Sequence, residues 1–499
     1  MIEDLLVGIT LAFTIPVLAS SYYSLILMIS SFMYPQAKDS GQVLDGFPPV
    51  SIIIAIFNER FVVSKSLDAL KNLDYPKNRL QVIVADDSTD ETRQIIDQKV
   101  LELQSAGLST VVSRRESREG FKSGALNQAA KMVSGEYVLL LDADSIVTPN
   151  VLTRGLRRFQ DESGLGFVSY RVGHYNREQS LITRLFALSL DLGDTLNKMG
   201  AHAIGSPFSF QGGYTLISSE ILRGVGYWSA DSIVDDADLS CKVYASGKKG
   251  TYLSDVRIFG EDLQTLETWK KQAARVSQGW AKCLSDHWRT ILRTPHMSRW
   301  RRAALLLFLF APFASLSWLV VSFTSATAVV LHISTASNSI FSNPWYVTLV
   351  SLPISSFFIA AAQSMRVQSI LTKRNLLLIP VLSYTGCCMF TASSVGFLRG
   401  LRGEAGFFFR TPKTGGNLPS DTDYFRALTL DKLVILEFIL SIIAIVLSAF
   451  MFINGVWFLG LSLLGFGLLT LKSLGLSRLL RLNLHTLNML PETIRSVLT

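Results

Sequence analysis

Hydrophobic residues crowd the two ends of the chain and thin out in the middle. Leu5–Met33, Ala303–Ser334, Trp345–Met365, Leu376–Phe397, Leu433–Phe452 and Val456–Leu471 are nearly unbroken apolar runs. Most reach the roughly 20 residues that a helix needs to cross a bilayer. Between Met33 and Arg301 the pattern changes to short β-branched runs separated by polar loops and helical periods. Val50–Ala55 is one such run, followed by Phe57-Asn58-Glu59 and a helical stretch, Ser64–Leu73. Gln81–Ala85 is a second; it ends in Asp86-Asp87-Ser88-Thr89-Asp90, with a helix from Glu91. Val138–Leu141 is a third, and it delivers Asp142 and Asp144. This alternation predicts an α/β domain with a parallel, doubly wound sheet whose polar residues gather at the strands' C-terminal lips.

The expected division is therefore a membrane helix over 1–35, a soluble domain with interfacial helices at its end over 36–290, and membrane helices with a re-entrant or interfacial segment over 291–398. A cytoplasmic loop over 399–432, two further membrane helices over 433–472 and an amphipathic cytoplasmic tail over 473–499 follow. Glu3 and Asp4 precede the first run and basic residues follow it, which reads as a retained anchor with the central domain in the cytoplasm. A full crossing by Leu376–Phe397 would put Arg399, Arg402, Arg410 and Lys413 outside, so that segment is assigned as re-entrant or interfacial, leaving five crossings. A hairpin in the Pro312-containing segment is the competing topology. A multi-pass protein of the cell (plasma) membrane is expected, with the lipid bilayer as partner.

Charge and cysteines narrow this picture. The net charge of +8 over 499 residues comes from Lys and Arg in the central domain and beside the apolar runs. That reads as positive-inside bias plus a site for phosphate, not as nucleic-acid binding. The four cysteines (Cys241, Cys283, Cys387, Cys388) have no metal spacing, and no disulfide framework follows.

The Asp142-x-Asp144 pair carries the first chemistry. Two carboxylates so close repel unless a cation sits between them, and hard cations such as Mg²⁺ or Mn²⁺ take oxygen ligands and bridge to phosphates. Arg118-Glu119-Gly120-Phe121-Lys122 precedes that strand and supplies positive charge suited to phosphate. Asp86 and Asp87 stand at a lip where a carboxylate can accept hydrogen bonds from a base or ribose; an Asx-turn or helix cap accounts for at least one of the acids there.

Taken in order, Phe57-Asn58-Glu59, Asp86-Asp87-Ser88-Thr89-Asp90, Arg118-x-Gly120-x-Lys122-x-x-Ala125-Leu126-Asn127 and Asp142-Ala143-Asp144 resemble the motifs of family 2 glycosyltransferases. The resemblance continues through Phe210-Gln211-Gly212-Gly213, Val234-Asp235-Asp236-Ala237-Asp238 and Gln272-Ala273-Ala274-Arg275-Val276. A last match, Phe408-Phe409-Arg410-Thr411-Pro412-Lys413, is similar to the gating segment of membrane-integrated polysaccharide synthases. The resemblance implies a GT-A fold, Rossmann-like with a mostly parallel sheet, and inverting transfer from a nucleotide-sugar, UDP-linked before GDP-linked. It implies Asp236 as catalytic base, with Asp235 where the family usually has Glu. It implies Asp142 and Asp144 at the metal, Asp144 as the more direct ligand. Asn58, Glu59, Asp86, Asp87, Arg118, Lys122, Asp142, Gln272, Arg275 and Lys413 fall at nucleotide-sugar positions, and Gln211, Gly212, Gly213 and Asp235 at acceptor positions.

The family's Gln-x-x-Arg-Trp is broken here, since Val276 replaces Trp. Trp280, at i+4 on the same helix face, either supplies the missing aromatic platform for the acceptor or anchors the helix at the membrane surface. A membrane-bound transferase acts on a growing glycan or on a lipid acceptor; the gating match and the spans after the catalytic domain favour a polysaccharide synthase. A transporter with an inactive nucleotide-binding domain is disfavoured, because the apolar runs show no intramembrane charge pair.

Overall fold

The computed structural model describes residues 2–34, 44–229, 232–331, 357–404, 413–415, 432–453 and 457–474. The strands are β1 (Val50–Ile56), β2 (Leu80–Asp86), β3 (Ser109–Arg114), β4 (Tyr137–Asp142), β5 (Ile146–Val147), β6 (Leu165–His174), β7 (Tyr214–Ser218) and β8 (Lys249–Gly260). They form one sheet in the order β3-β2-β1-β4-β7-β6-β8-β5. β3, β2, β1 and β4 pair in parallel, as the alternation of strand and helix demands. Successive residues point to opposite faces and both faces are covered. Ile53 and Leu140 thus enter one core, Ile52 and Leu139 the other.

The mostly parallel sheet holds only for that half. β7 runs antiparallel to both β4 and β6, β5 runs antiparallel to β8, and only β6 and β8 add a further parallel pair. Between β6 and β7 the chain makes a long helical excursion instead of a crossover helix lying on the sheet, so β7 returns in the opposite sense. Strand direction is not written in hydrophobic periodicity.

α1 (Ile2–Ser31) precedes the sheet, and α2 (Val63–Ala69), α3 (Thr92–Ser105), α4 (Phe121–Ala130) and α5 (Val151–Asp161) cover it. The excursion is α6 (Leu181–Gly193), started by a reciprocal Ser180–Thr183 cap, a π-helical segment Asp194–Gly200, and the single turn α7 (Ala201–Ala203). α8 (Ser219–Gly224) and α9 (Asp235–Ala245) follow. α10 (Leu266–Arg293), capped by Thr265, extends the expected Thr268–Cys283 helix in both directions.

The apolar run Ala303–Ser334 is not one helix. It breaks at Ala311–Pro312 into α11 (Arg299–Phe310) and α12 (Phe313–Val330), because proline has no N–H to give and starts a helix better than it continues one. Among the described residues, Leu5–Ser31, Phe313–Val330 and Ile435–Ile453 are long and apolar enough to cross a membrane. Lys373–Cys388 and Phe390–Leu401 form a pair bent by 40°, a fourth candidate if counted as one span. The apolar helix Gly460–Leu471 is shorter. Most of Trp345–Met365, the tail from residue 475 and Phe408–Pro412 lie outside the described residues.

Two contacts tie the helices to the α/β domain. A Cβ on Gly396 would lie 2.2 Å from the Ala274 carbonyl oxygen, and one on Gly400 would lie 2.3 Å from that of Gln278. Phe390–Leu401 thus lies directly along α10 through a Gly-x-x-x-Gly seam. Lys270 of α10 donates to Glu437 at 2.8 Å, both side chains buried. This corrects the reading that the apolar runs hold no charge pair: Glu437 stands inside one, and its partner comes from α10, which follows the sheet.

Candidate active site

In a sheet of this kind ligands bind beyond the strands' carboxyl ends where strand order reverses. Here the reversal lies between β1 and β4, and Ala55 pairs with Asp142 at their ends. A cavity of about 540 Å³ opens there, enclosed by α10, the α6–π-helical wall and Lys413.

At one end Arg118 lies with its guanidinium carbon 3.3 Å from the centroid of Phe57. Beside it Asp87 is held by Arg115 through Nε at 3.1 Å and a terminal nitrogen at 2.5 Å. Lys122, from the first turn of α4, donates to Asp142 Oδ1 at 2.8 Å and lies 3.4 Å from Asp235. Burial alone would lower the Lys122 pKa, but Asp142 and Asp235 outweigh it and hold the ammonium charged. Burial would raise Asp142, and Lys122 reverses that, keeping it ionised. Asp144 Oδ2 accepts from the Glu261 N–H at 2.8 Å and pairs with Lys413 at 2.8 Å.

These pairings use Oδ1 of Asp142 and Oδ2 of Asp144; the other oxygen of each takes part in none of them. Among the described residues no three His, Cys, Asp or Glu side chains converge on one point. The set is therefore two carboxylates at one lip, oxygen donors that fit a hard divalent cation completing its shell with diphosphate and water.

Asp236 begins α9 and faces the same space. Its Oδ1 accepts from the Ala237 N–H at 2.8 Å and its Oδ2 from the Gly212 N–H at 3.3 Å. Burial and then the neighbouring Asp235 push its pKa up to about 6, against Lys122 and Arg275. A carboxylate so raised is poised to take a proton near neutrality. Arg275 lies within electrostatic reach of Asp235, Asp236 and Asp142. α10 reaches this far in because Gly279 lies against Val234, where a Cβ would come within 2.0 Å of the valine side chain.

Of the residues singled out in the sequence, Glu59, Asp87, Arg118, Lys122, Asp142, Asp144, Gln211, Gly212, Asp235, Asp236, Gln272, Arg275, Trp280 and Lys413 line this one cavity. Asn58, Asp86 and Gly213 are not among its lining residues. Asn58 accepts from the Thr89 N–H at 2.8 Å and Asp86 is fully buried against Arg114 at 2.8 Å, so both brace the lip. Gly213 lets β7 pass Asp142, since a Cβ there would lie 2.4 Å from the carboxylate. Trp280 lies against Phe308 with ring centroids 4.4 Å apart, and both reach the cavity with Val276. Sequence reading passed over Glu261, Tyr214, Asp194 and Lys198. Glu261 stands just past the end of β8, the placement that flagged the other acids; Lys198 sits mid-helix and carried no such signal.

An α/β sheet with this reversal, a paired-carboxylate lip and a half-buried acid in the same cavity is the arrangement of a GT-A glycosyltransferase domain. Residues 51–212 match the family model described as Glycosyl transferase family 2, and residues 137–354 match Glycosyl transferase family group 2. The chain carries a family 2 glycosyltransferase domain. It is 29% identical over 264 residues to glucomannan 4-beta-mannosyltransferase 2 of Arabidopsis thaliana, covering 52% of this chain and 49% of that protein. To glucomannan 4-beta-mannosyltransferase 1 of Oryza sativa subsp. japonica it is 30% identical over 260 residues, covering 51% and 50%. The chain thus spans about half the length of these relatives. Its fold is like that of the mannosyltransferase PcManGT from Pyrobaculum calidifontis, solved in complex with GDP-Man and Mn²⁺. The TM-score is 0.56, at 18% identity over 80% of this chain and 99% of that one.

Proposed function

We propose that this protein transfers a mannosyl group, with inversion, from a nucleoside diphosphate to a glycan acceptor at a membrane. The observation that carries the reading is the single cavity shared by the Lys122–Asp142–Asp144 cluster and Asp236. Asp236 takes the acceptor hydroxyl's proton as that oxygen bonds to the anomeric carbon. The bond from that carbon to the diphosphate oxygen breaks with its electron pair, and the nucleoside diphosphate leaves. Arg118, Lys122 and Arg275 stand where they offset the charge of the departing group. Base and leaving group act from opposite faces, hence inversion. Asp142 and Asp144 are the side chains that would hold Mn²⁺ or Mg²⁺, which supplies further charge neutralisation at the diphosphate.

The donor reading moves from a UDP-sugar to GDP-mannose because the relatives named above are mannosyltransferases. The membrane placement rests on the three or four candidate spans, with the catalytic domain on the cytoplasmic side of the cell membrane. A polymer is favoured over a glycolipid. A lipid acceptor keeps one argument, the apolar wall of Phe186, Leu190, Leu263 and Val276.

Membranes containing the protein, given labelled GDP-mannose with Mn²⁺, are expected to yield a ladder of saccharide products. A single organic-extractable product would replace the glycan acceptor by a lipid. No transfer from GDP-mannose, UDP-glucose or UDP-N-acetylglucosamine would overturn the reading.

A further inference from the structure

One wall of the cavity is the helix that runs from α6 through its π-helical segment. Such segments are rare and recur at functional sites. Lys198 belongs to this one and is 4% exposed. Its Nζ pairs with Asp194 at 2.8 Å and donates to Gln211 Oε1 at 2.7 Å, with the Tyr252 ring centroid 5.5 Å away. Asp194 is itself fixed, accepting from the Val172 N–H at 3.0 Å and the Tyr252 hydroxyl at 3.2 Å. From behind, the segment meets α1 closely: a Cβ on Gly200 would come within 2.1 Å of the Leu27 carbonyl oxygen. The lysine cannot drift.

Its effect falls on Gln211. A lysine only donates, so the amide oxygen of Gln211 must face it, and the Nε2 donor group must point elsewhere. The next residue, Gly212, donates its N–H to Asp236 Oδ2 at 3.3 Å. The Gln211 amide is therefore held one residue from the group that touches the base, and both line the cavity.

We propose that Lys198 is a positioning residue for the acceptor. It orients Gln211 so that Nε2 donates to an oxygen of a saccharide acceptor next to the hydroxyl that Asp236 deprotonates. The inference rests on the glycosyl-transfer reading above and deepens it: the site selects an acceptor with oxygens on neighbouring carbons over a monohydroxylic lipid alcohol. A site built to bond such an oxygen rejects analogues that lack it, because its own polar group is left without a partner.

The test uses the full chain in detergent with GDP-mannose and soluble manno-oligosaccharides, measuring KM for donor and acceptor separately. Gln211→Glu keeps an oxygen for Lys198 and removes the Nε2 donor; Lys198→Met frees the amide to turn. Each is expected to raise acceptor KM about tenfold, the loss of one hydrogen bond, while donor KM moves less than about twofold. Lys198→Arg, which keeps a donor, is expected to restore most of the acceptor affinity. Unchanged acceptor KM in both single variants overturns the proposal. So does a joint rise in both KM values that Arg does not rescue, the mark of a merely structural lysine. Wild-type transfer to a monohydroxylic lipid alcohol alone overturns it too, leaving the transferase standing. Wild-type inactivity with every nucleotide-sugar overturns the transferase reading itself, and this inference with it.

Discussion

Asp236 is suited to the proposed base role by virtue of its neighbours. An acid beside a second acid in a half-closed cavity gives up its proton late, and here the two share Lys122 and Arg275 nearby. Asp236→Asn is expected to cut the transfer rate by about 100-fold or more, the usual worth of a positioned base, with little change in donor KM. The base works only when deprotonated, so transfer is expected to fall as pH drops through about 6. Asp235→Asn removes the like charge and is expected to move that fall to lower pH; a pH–rate profile that does not shift would mean Asp235 exerts no field on the base. At this scale the sequence was legible wherever a polar side chain followed an apolar strand, because strand ends are where a parallel sheet opens. Asp142, Asp144 and Asp87 were found that way. Asn58 and Asp86 stand at the same lip yet turn inward to brace it, and no spacing distinguishes an inward carboxylate from an outward one.

Among the elements, α10 decides whether the cavity closes. It brings Gln272, Arg275 and Trp280 to the site, and it is held by the Gly396–Gly400 seam and by the Lys270–Glu437 pair. Removing one member of a buried pair strands the other charge, a loss of about 3–5 kcal/mol. Glu437→Gln is therefore expected to lower Tm in detergent. Lys270→Met combined with Glu437→Leu is expected to recover most of that loss, since nothing charged is left uncompensated. A double variant no better than the single would show that the pair does more than balance charge. The middle of helix α10, Thr268–Cys283, was readable from its period, whereas its Thr265 cap and its extension to Arg293 were not. Its partner across the seam was not, because Gly396 and Gly400 look like ordinary small residues of an apolar run until another helix lies on them. The break at Pro312 was visible in the sequence as a residue but not as a geometry.

For the molecule as a whole, a second buried electrostatic knot lies beside the cavity. His174 is bonded to Asp262 at 2.6 Å and to Asp191 at 3.3 Å, and Arg177 pairs with Asp191 at 2.5 Å, joining β6, α6 and the chain after β8. Burial would lower the His174 pKa, but the two aspartates carry it up to about 9 from an ordinary value near 6.5. A folded-state pKa above the unfolded one stabilises fully below about 6.5, and the contribution is lost as pH rises through about 9. The Tm gap between wild type and His174→Gln is expected to be widest at about pH 6 and to narrow toward pH 10. A gap that does not change with pH would show that the imidazole acts by shape alone.

Hydrophobic periodicity by itself determined β1, β2 and β4 of the parallel half, the helices after the first two and the apolar runs at both ends, because burial on two faces, on one stripe or all around leaves distinct patterns in one dimension; β3, with its half-exposed Ser109–Arg114, went unread. The order and polarity of acids and bases determined which chemistry the lip could hold. Only the tertiary structure decided that β7 returns antiparallel, that α10 reaches the carboxylates, and that Lys198 bonds the Gln211 amide oxygen. Those are facts about residues distant in sequence and adjacent in space, and adjacency is settled by close packing of the whole chain, not by any local preference.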